Sequence, residues 1–86
     1  MKNFKIFGTA VESEKSVRLD EISIISDSKT LAEIGVFFIK AASLMEENEI
    51  DHVHLQDKIN GFDYGRHVDI VLLNKEIIKI KKIEHS

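Results

Sequence analysis

The sequence predicts an α+β fold, with one helix packed in two layers on a mostly antiparallel sheet, in the order β-β-α-β-β-β. Three observations lead there. Between Thr30 and Asn48 apolar residues recur at steps of three and four, and on either side of that stretch they alternate with polar ones instead. A helix with one apolar stripe and strands with one apolar face bury both most simply against each other. The 86 residues include no proline and no linker-like run, so residues 1–86 are expected to form a single domain. A chain of this mass hides about two-thirds of its surface on folding and leaves about 5,000 Å² exposed.

Phe4, Ile6, Gly8 and Ala10 alternate with Lys5, Phe7, Thr9 and Val11, a first strand apolar on both faces near its start. Ser13 to Ser16 is the turn. Val17 to Ser26 reads as a second strand whose phase slips: Val17 and Leu19 share one parity, Ile22 and Ile24 the other, so a bulge is expected at Asp20 and Glu21. Asp27, Ser28 and Thr30 are candidate N-caps, and Thr30 with Glu33 has capping-box spacing. The helix then runs from about Ser28 to Asn48, its buried stripe formed by Leu31, Ile34, Phe38, Ala41, Ala42 and Met45 and widened by Phe37 and Leu44.

Asp51 to Asp57 alternates, which places Val53 and Leu55 inward and His52, His54 and Gln56 outward. Ile59 to Gly65 is the one glycine-bearing loop, and it carries Phe62 and Tyr64, whose rings either fold back on the core or make contacts. Val68, Ile70 and Leu72 should face inward, with His67 and Asp69 outward. Asn74 and Lys75 turn the chain into a last strand, Glu76 to Ile83, in which Lys79, Lys81 and Lys82 have the character of edge-protecting lysines.

Several function classes are disfavoured. Met1 to Ala10 alternates and no run approaches about 20 apolar residues, so neither a targeting segment nor a membrane span is expected and the cytoplasm is the expected compartment. With no cysteine there is no disulfide and no thiolate metal site. No serine sits in a nucleophile elbow, no glycine array matches a phosphate loop, and the acids are scattered. An enzyme is therefore not expected, nor a cofactor.

Two local features remain. His52-Val53-His54 puts two imidazoles on one face of a strand, within reach of one ion if His67 or Asp69 supplied a third ligand. Hydrogen bonding on a polar outer face is the commoner use of such histidines, and no bound metal is expected. The second feature is charge. Glu46, Glu47, Glu49, Asp51, Asp57, Asp63 and Asp69 face only Lys58 and Arg66, a local net of minus five in a chain of net minus three. Glu46, Glu47 and Glu49 crowd the carboxyl end of the helix, where the macrodipole disfavours anions by about 0.3–1 kcal/mol each. The carboxyl-terminal lysines are too few and too offset by Glu76 and Glu84 for a nucleic-acid footprint.

The helix beginning Thr30-Leu31-Ala32-Glu33 and reaching Met45, then Asp51-His52-Val53-His54-Leu55, a loop, and Val68-Asp69-Ile70-Val71-Leu72 together resemble the immunity protein 32 family of bacterial polymorphic toxin systems, over roughly residues 28–74. The resemblance implies a small intracellular protein that neutralises a toxin by binding, without catalysis, and it singles out His52, His54 and Asp69. The expected partner is a cognate protein toxin, a basic nuclease domain being one candidate, met by a surface of Glu46, Glu47, Glu49, Asp51, His52, His54, Phe62, Asp63, Tyr64 and Asp69. Nucleic acid and membrane are not expected partners. Two alternatives stand beside this reading: a small metal-dependent enzyme using His52, His54 and His67 or Asp69, and a structural module, such as a homodimer, pairing through an exposed strand edge.

Overall fold

A computed structural model of the chain describes residues 1–77. Its class is α+β: β1 (Ile6–Thr9), β2 (Ser16–Leu19), α1 (Ser28–Asn48), β3 (His52–His54), α2 (Leu55–Lys58) and β4 (Val71–Leu73). Among the described residues the strands form two separate antiparallel pairs, β1 with β2 and β3 with β4, in place of the one sheet expected. No helix among these residues is long and apolar enough to cross a membrane.

The first hairpin pairs Ile6 with Leu19, Phe7 with Arg18, Gly8 with Val17 and Thr9 with Ser16. A Cβ at Gly8 would stand 3.0 Å from Leu19 Cδ1, so a larger residue there requires the Leu19 side chain to give way. The second strand ends at Leu19, and the segment from Glu21 to Asp27 pairs with nothing in sheet fashion. The phase slip read as a bulge is thus the end of the strand. Once pairing stops, no pleat obliges Ile22 and Ile24 to share a face with Val17, and both remain about half exposed.

Of the three candidate caps, Asp27 starts α1: its backbone is extended, and its Oδ1 accepts the Thr30 N–H at 2.8 Å. Hydrogen bonds from Thr30, the hydroxyl first and the backbone N–H second, hold the Asp27 carboxyl below its ordinary value of 3.8. A carboxyl with a depressed folded pKa contributes stability above the unfolded pKa and loses it as pH falls through the folded one. Far-UV circular dichroism is therefore expected to show helix loss on acidification below about pH 4 that Asp27→Asn, an uncharged cap of equal quality, does not share.

The face that α1 buries is rotated from the expected stripe. Phe37 and Ala41 are buried at 4% and 1% exposure, whereas Phe38 is 44% exposed and Leu31 41%. Phe37 and Ala41 pack with Val53 and Leu55, and Met45, Ile50, Ile59, Phe62, Ile70 and Leu72 close around them. The core thus lies between α1 and the β3–β4 hairpin, where Val53 sits opposite Leu72. The expected strand Asp51 to Asp57 stops at His54. Leu55 still donates its N–H to Ile70 O at 2.9 Å, but Ile59 N–H returns to Leu55 O at 3.1 Å and closes a helical turn. Val68, expected inward, is 80% exposed because β4 begins only at Val71, so no pleat fixes its side. In place of a strand starting at Glu76, residues 75–77 are helical, and Asn74 Oδ1 accepts the Glu76 N–H at 3.2 Å. The remainder of that expected strand, with Lys79, Lys81 and Lys82, lies outside the described residues.

Candidate functional site

Strand alternation puts Val53 into the core and His52 and His54 on the opposite side of β3. Their rings stand edge to face with centroids 5.2 Å apart. Each is held by a carboxylate: His52 Nδ1 lies 2.9 Å from Asp51 Oδ1, and His54 Nδ1 lies 2.7 Å from Asp69 Oδ2. A carboxylate only accepts, so Nδ1 carries the proton in both rings, and Nε2 is left as the acceptor of the neutral form. Two imidazole acceptors therefore stand close together on this face.

Asp69 does a second job with its other oxygen. Its Oδ1 accepts the Gln56 N–H at 3.0 Å, so a carboxylate from just before β4 caps the amino end of α2, for which His54 provides no side-chain cap. The hairpin is closed from its far end as well: Asn74 N–H donates to Asp51 O at 2.8 Å, and Asn74 Nδ2 to Ile50 O at 3.1 Å. The histidines thus sit on a strand pair tied by side-chain and backbone hydrogen bonds at both ends.

His67 does not join them. The Asp63 N–H donates to His67 Nδ1 at 2.9 Å, which makes Nδ1 an acceptor and gives this ring the opposite tautomer. Its ring lies 5.5 Å from that of Phe62. Both Asp69 oxygens are engaged, and no group of three or more His, Asp or Glu among the described residues is arranged to hold a metal ion. The third ligand that a metal enzyme would require from His67 or Asp69 is not assembled there.

In the loop, Asp63 Oδ1 accepts the Gly65 N–H at 2.8 Å, so this carboxylate serves the turn. The two loop aromatics divide their roles: Phe62 packs on the core, while Tyr64 is 72% exposed and rests edge-on against Phe62 with centroids 5.0 Å apart. Phe62 is a support and Tyr64 is the ring available for contact.

A shallow pocket of about 190 Å³ opens beside the histidines, lined by Leu44, Ile50, His52, Val53, His54, Asp57 and Lys58. Asp57 is the residue that sequence reasoning left out of the candidate surface. As the last residue of an alternating strand it shares the parity of Val53 and Leu55, away from the histidines; the α2 turn instead brings it to the pocket beside them. The last turn of α1 carries Glu46 and Glu47 with no basic residue, and Glu49 closes the helix in the left-handed conformation at φ 52°. Glu46, Glu47, Glu49 and Asp57 form no ion pair among the described residues. A non-glycine residue in that conformation costs about 1–2 kcal/mol. Glu49→Gly is expected to stabilise the fold by about 1 kcal/mol in urea denaturation, and an unchanged or lower midpoint would refute the strain.

No family model, no curated protein and no solved structure matches this chain.

Proposed function

We propose that this protein neutralises a cognate protein toxin by direct binding, without catalysis, as its resemblance to the immunity protein 32 family implies. One observation carries the reading: the carboxyl end of α1 is built against its own stability. Three carboxylates oppose the macrodipole there without a basic neighbour in the last turn, and one of them occupies a strained backbone conformation. Stability surrendered on an exposed, uniformly charged rim is accounted for by a partner of opposite charge. Glu46, Glu47, Glu49 and Asp57 supply long-range attraction to a basic toxin surface, such as that of a nuclease, while the paired His52 and His54 acceptors and Tyr64 supply short-range contact. A standard interface needs about 800 Å² from each partner, and this end of the molecule spans a helix end, a hairpin face and a loop.

Surface plasmon resonance against the toxin domain encoded beside this chain is the test. Tight stoichiometric binding is expected. Reversing Glu47, Glu49 and Asp57 to lysine should slow association about tenfold at low salt and flatten its salt dependence, with a much smaller effect on dissociation. Absence of binding at about micromolar concentration would refute the proposal for that pair.

A further inference from the structure

We propose that two copies of this chain associate through the outward face of α1, packed antiparallel about a twofold axis between Val36 and Ile39. This face lies apart from the histidines and shares only Glu46 with the acidic end. Lys29, Ala32, Val36, Ile39, Ser43 and Glu46 follow each other at alternating steps of three and four, the spacing of a helix-packing seam, and all six are exposed. The seam lies one residue, about 100°, round the helix from the buried Phe37 and Ala41. Its centre is apolar and open: Ile39 is 70% exposed and Val36 48%. It forms one wall of a groove of about 1050 Å³ whose far wall is Lys58, Ile59 and Asn60.

Charge order selects the occupant. Laid antiparallel on itself, the seam places Val36 against Ile39, Ala32 against Ser43 and Lys29 against Glu46 of the second copy, and symmetry repeats each layer. The flanking positions Glu33 and Lys40 then face each other across the axis, again twice. None of Lys29, Glu33, Lys40 or Glu46 has an ion-pair partner among the described residues. A uniformly acidic or basic partner would satisfy only half of these charges, whereas a second copy satisfies all of them. On the other flank Gly35 and Ala42 let the backbones approach, and a Cβ at Gly35 would meet nothing within 4 Å.

Sedimentation equilibrium tests this. At about 100 µM the wild-type protein should run at twice 9.8 kDa. Ile39→Glu should run as a monomer with an unchanged helical spectrum, because the side chain it replaces is exposed. Glu33→Lys and Lys40→Glu should each weaken self-association about tenfold, and mixing the two should restore it, since the mixed pair regains both ion pairs. A monomeric wild type, an Ile39→Glu dimer or a mixture no stronger than its components would overturn the proposal. Restoration on mixing is a signature that a structural role of either residue within one chain cannot produce.

Discussion

Phe37→Ala is expected to remove about 3–5 kcal/mol of folding stability. The total for a chain of this length is about 4–13 kcal/mol, so the variant is expected to lie at or near unfolding. Phe37 is 4% exposed and is the largest side chain in the cluster it forms with Ala41, Val53 and Leu55, so truncation leaves a cavity where helix and hairpin interlock. The adjacent Phe38→Ala should cost only about 1 kcal/mol, because that ring keeps 44% of its surface in water and meets Phe37 edge-on with centroids 5.9 Å apart. Urea denaturation of both variants measures the contrast. Equal losses would show that Phe38 is buried as fully as Phe37, as the broad stripe expected from periodicity requires.

Asp69→Ala should cost about 2–4 kcal/mol, more than any other polar substitution in the described chain. It removes two hydrogen bonds at once, from His54 Nδ1 and from the Gln56 N–H, and both lie in a part-buried setting. The loss should be local as well as global: native-state hydrogen exchange of the Gln56 amide should accelerate before that of α1. Asp69→Asn provides the finer test. Its amide oxygen can still accept from Gln56, but its NH₂ would donate towards His54 and turn Nδ1 into an acceptor, moving the proton to Nε2. Nitrogen chemical shifts of the ring should report that exchange. An unchanged tautomer in the Asn variant would mean that Asp69 does not set it.

These two residues also mark how far pattern reading reaches. That α1 runs from Ser28 to Asn48 was legible, because 21 residues of uninterrupted helical spacing behind a good cap leave no competing structure. Which of two adjacent phenylalanines enters the core was not. The apolar residues of α1 cover more of its circumference than one interface uses, so Leu31 and Phe38 on one side and Val36 and Ile39 on the other flank a narrow buried strip. Periodicity locates a broad apolar sector, and only the neighbour it meets decides the centre.

The site divides in the same way. Two-residue alternation was enough to place His52 and His54 on one face of β3, since a pleat leaves no other choice. It could not show that Asp69 would grip His54 and cap α2 together, that His67 would take the opposite tautomer in its own turn, or that Asp57 would swing round to the histidines. The cap on α2 and the placement of Asp57 go with the strand ending at His54, where the Asp69 carboxylate, thirteen residues along the chain, meets the Gln56 N–H that a longer strand would have given to a neighbour; the His67 tautomer is set within its own turn.

The sequence by itself determined the α+β class, the span and cap region of the long helix, the facing of the two histidines and the concentration of acid at the helix end. Each follows from interactions within a few residues along the chain, where spacing is geometry. Tertiary structure decided that the described strands pair as two hairpins, that Phe37 is buried and Phe38 is not, and that β3 gives way to α2. Those outcomes rest on contacts between segments far apart in sequence, whose strength depends on which surfaces meet, and spacing carries no record of that.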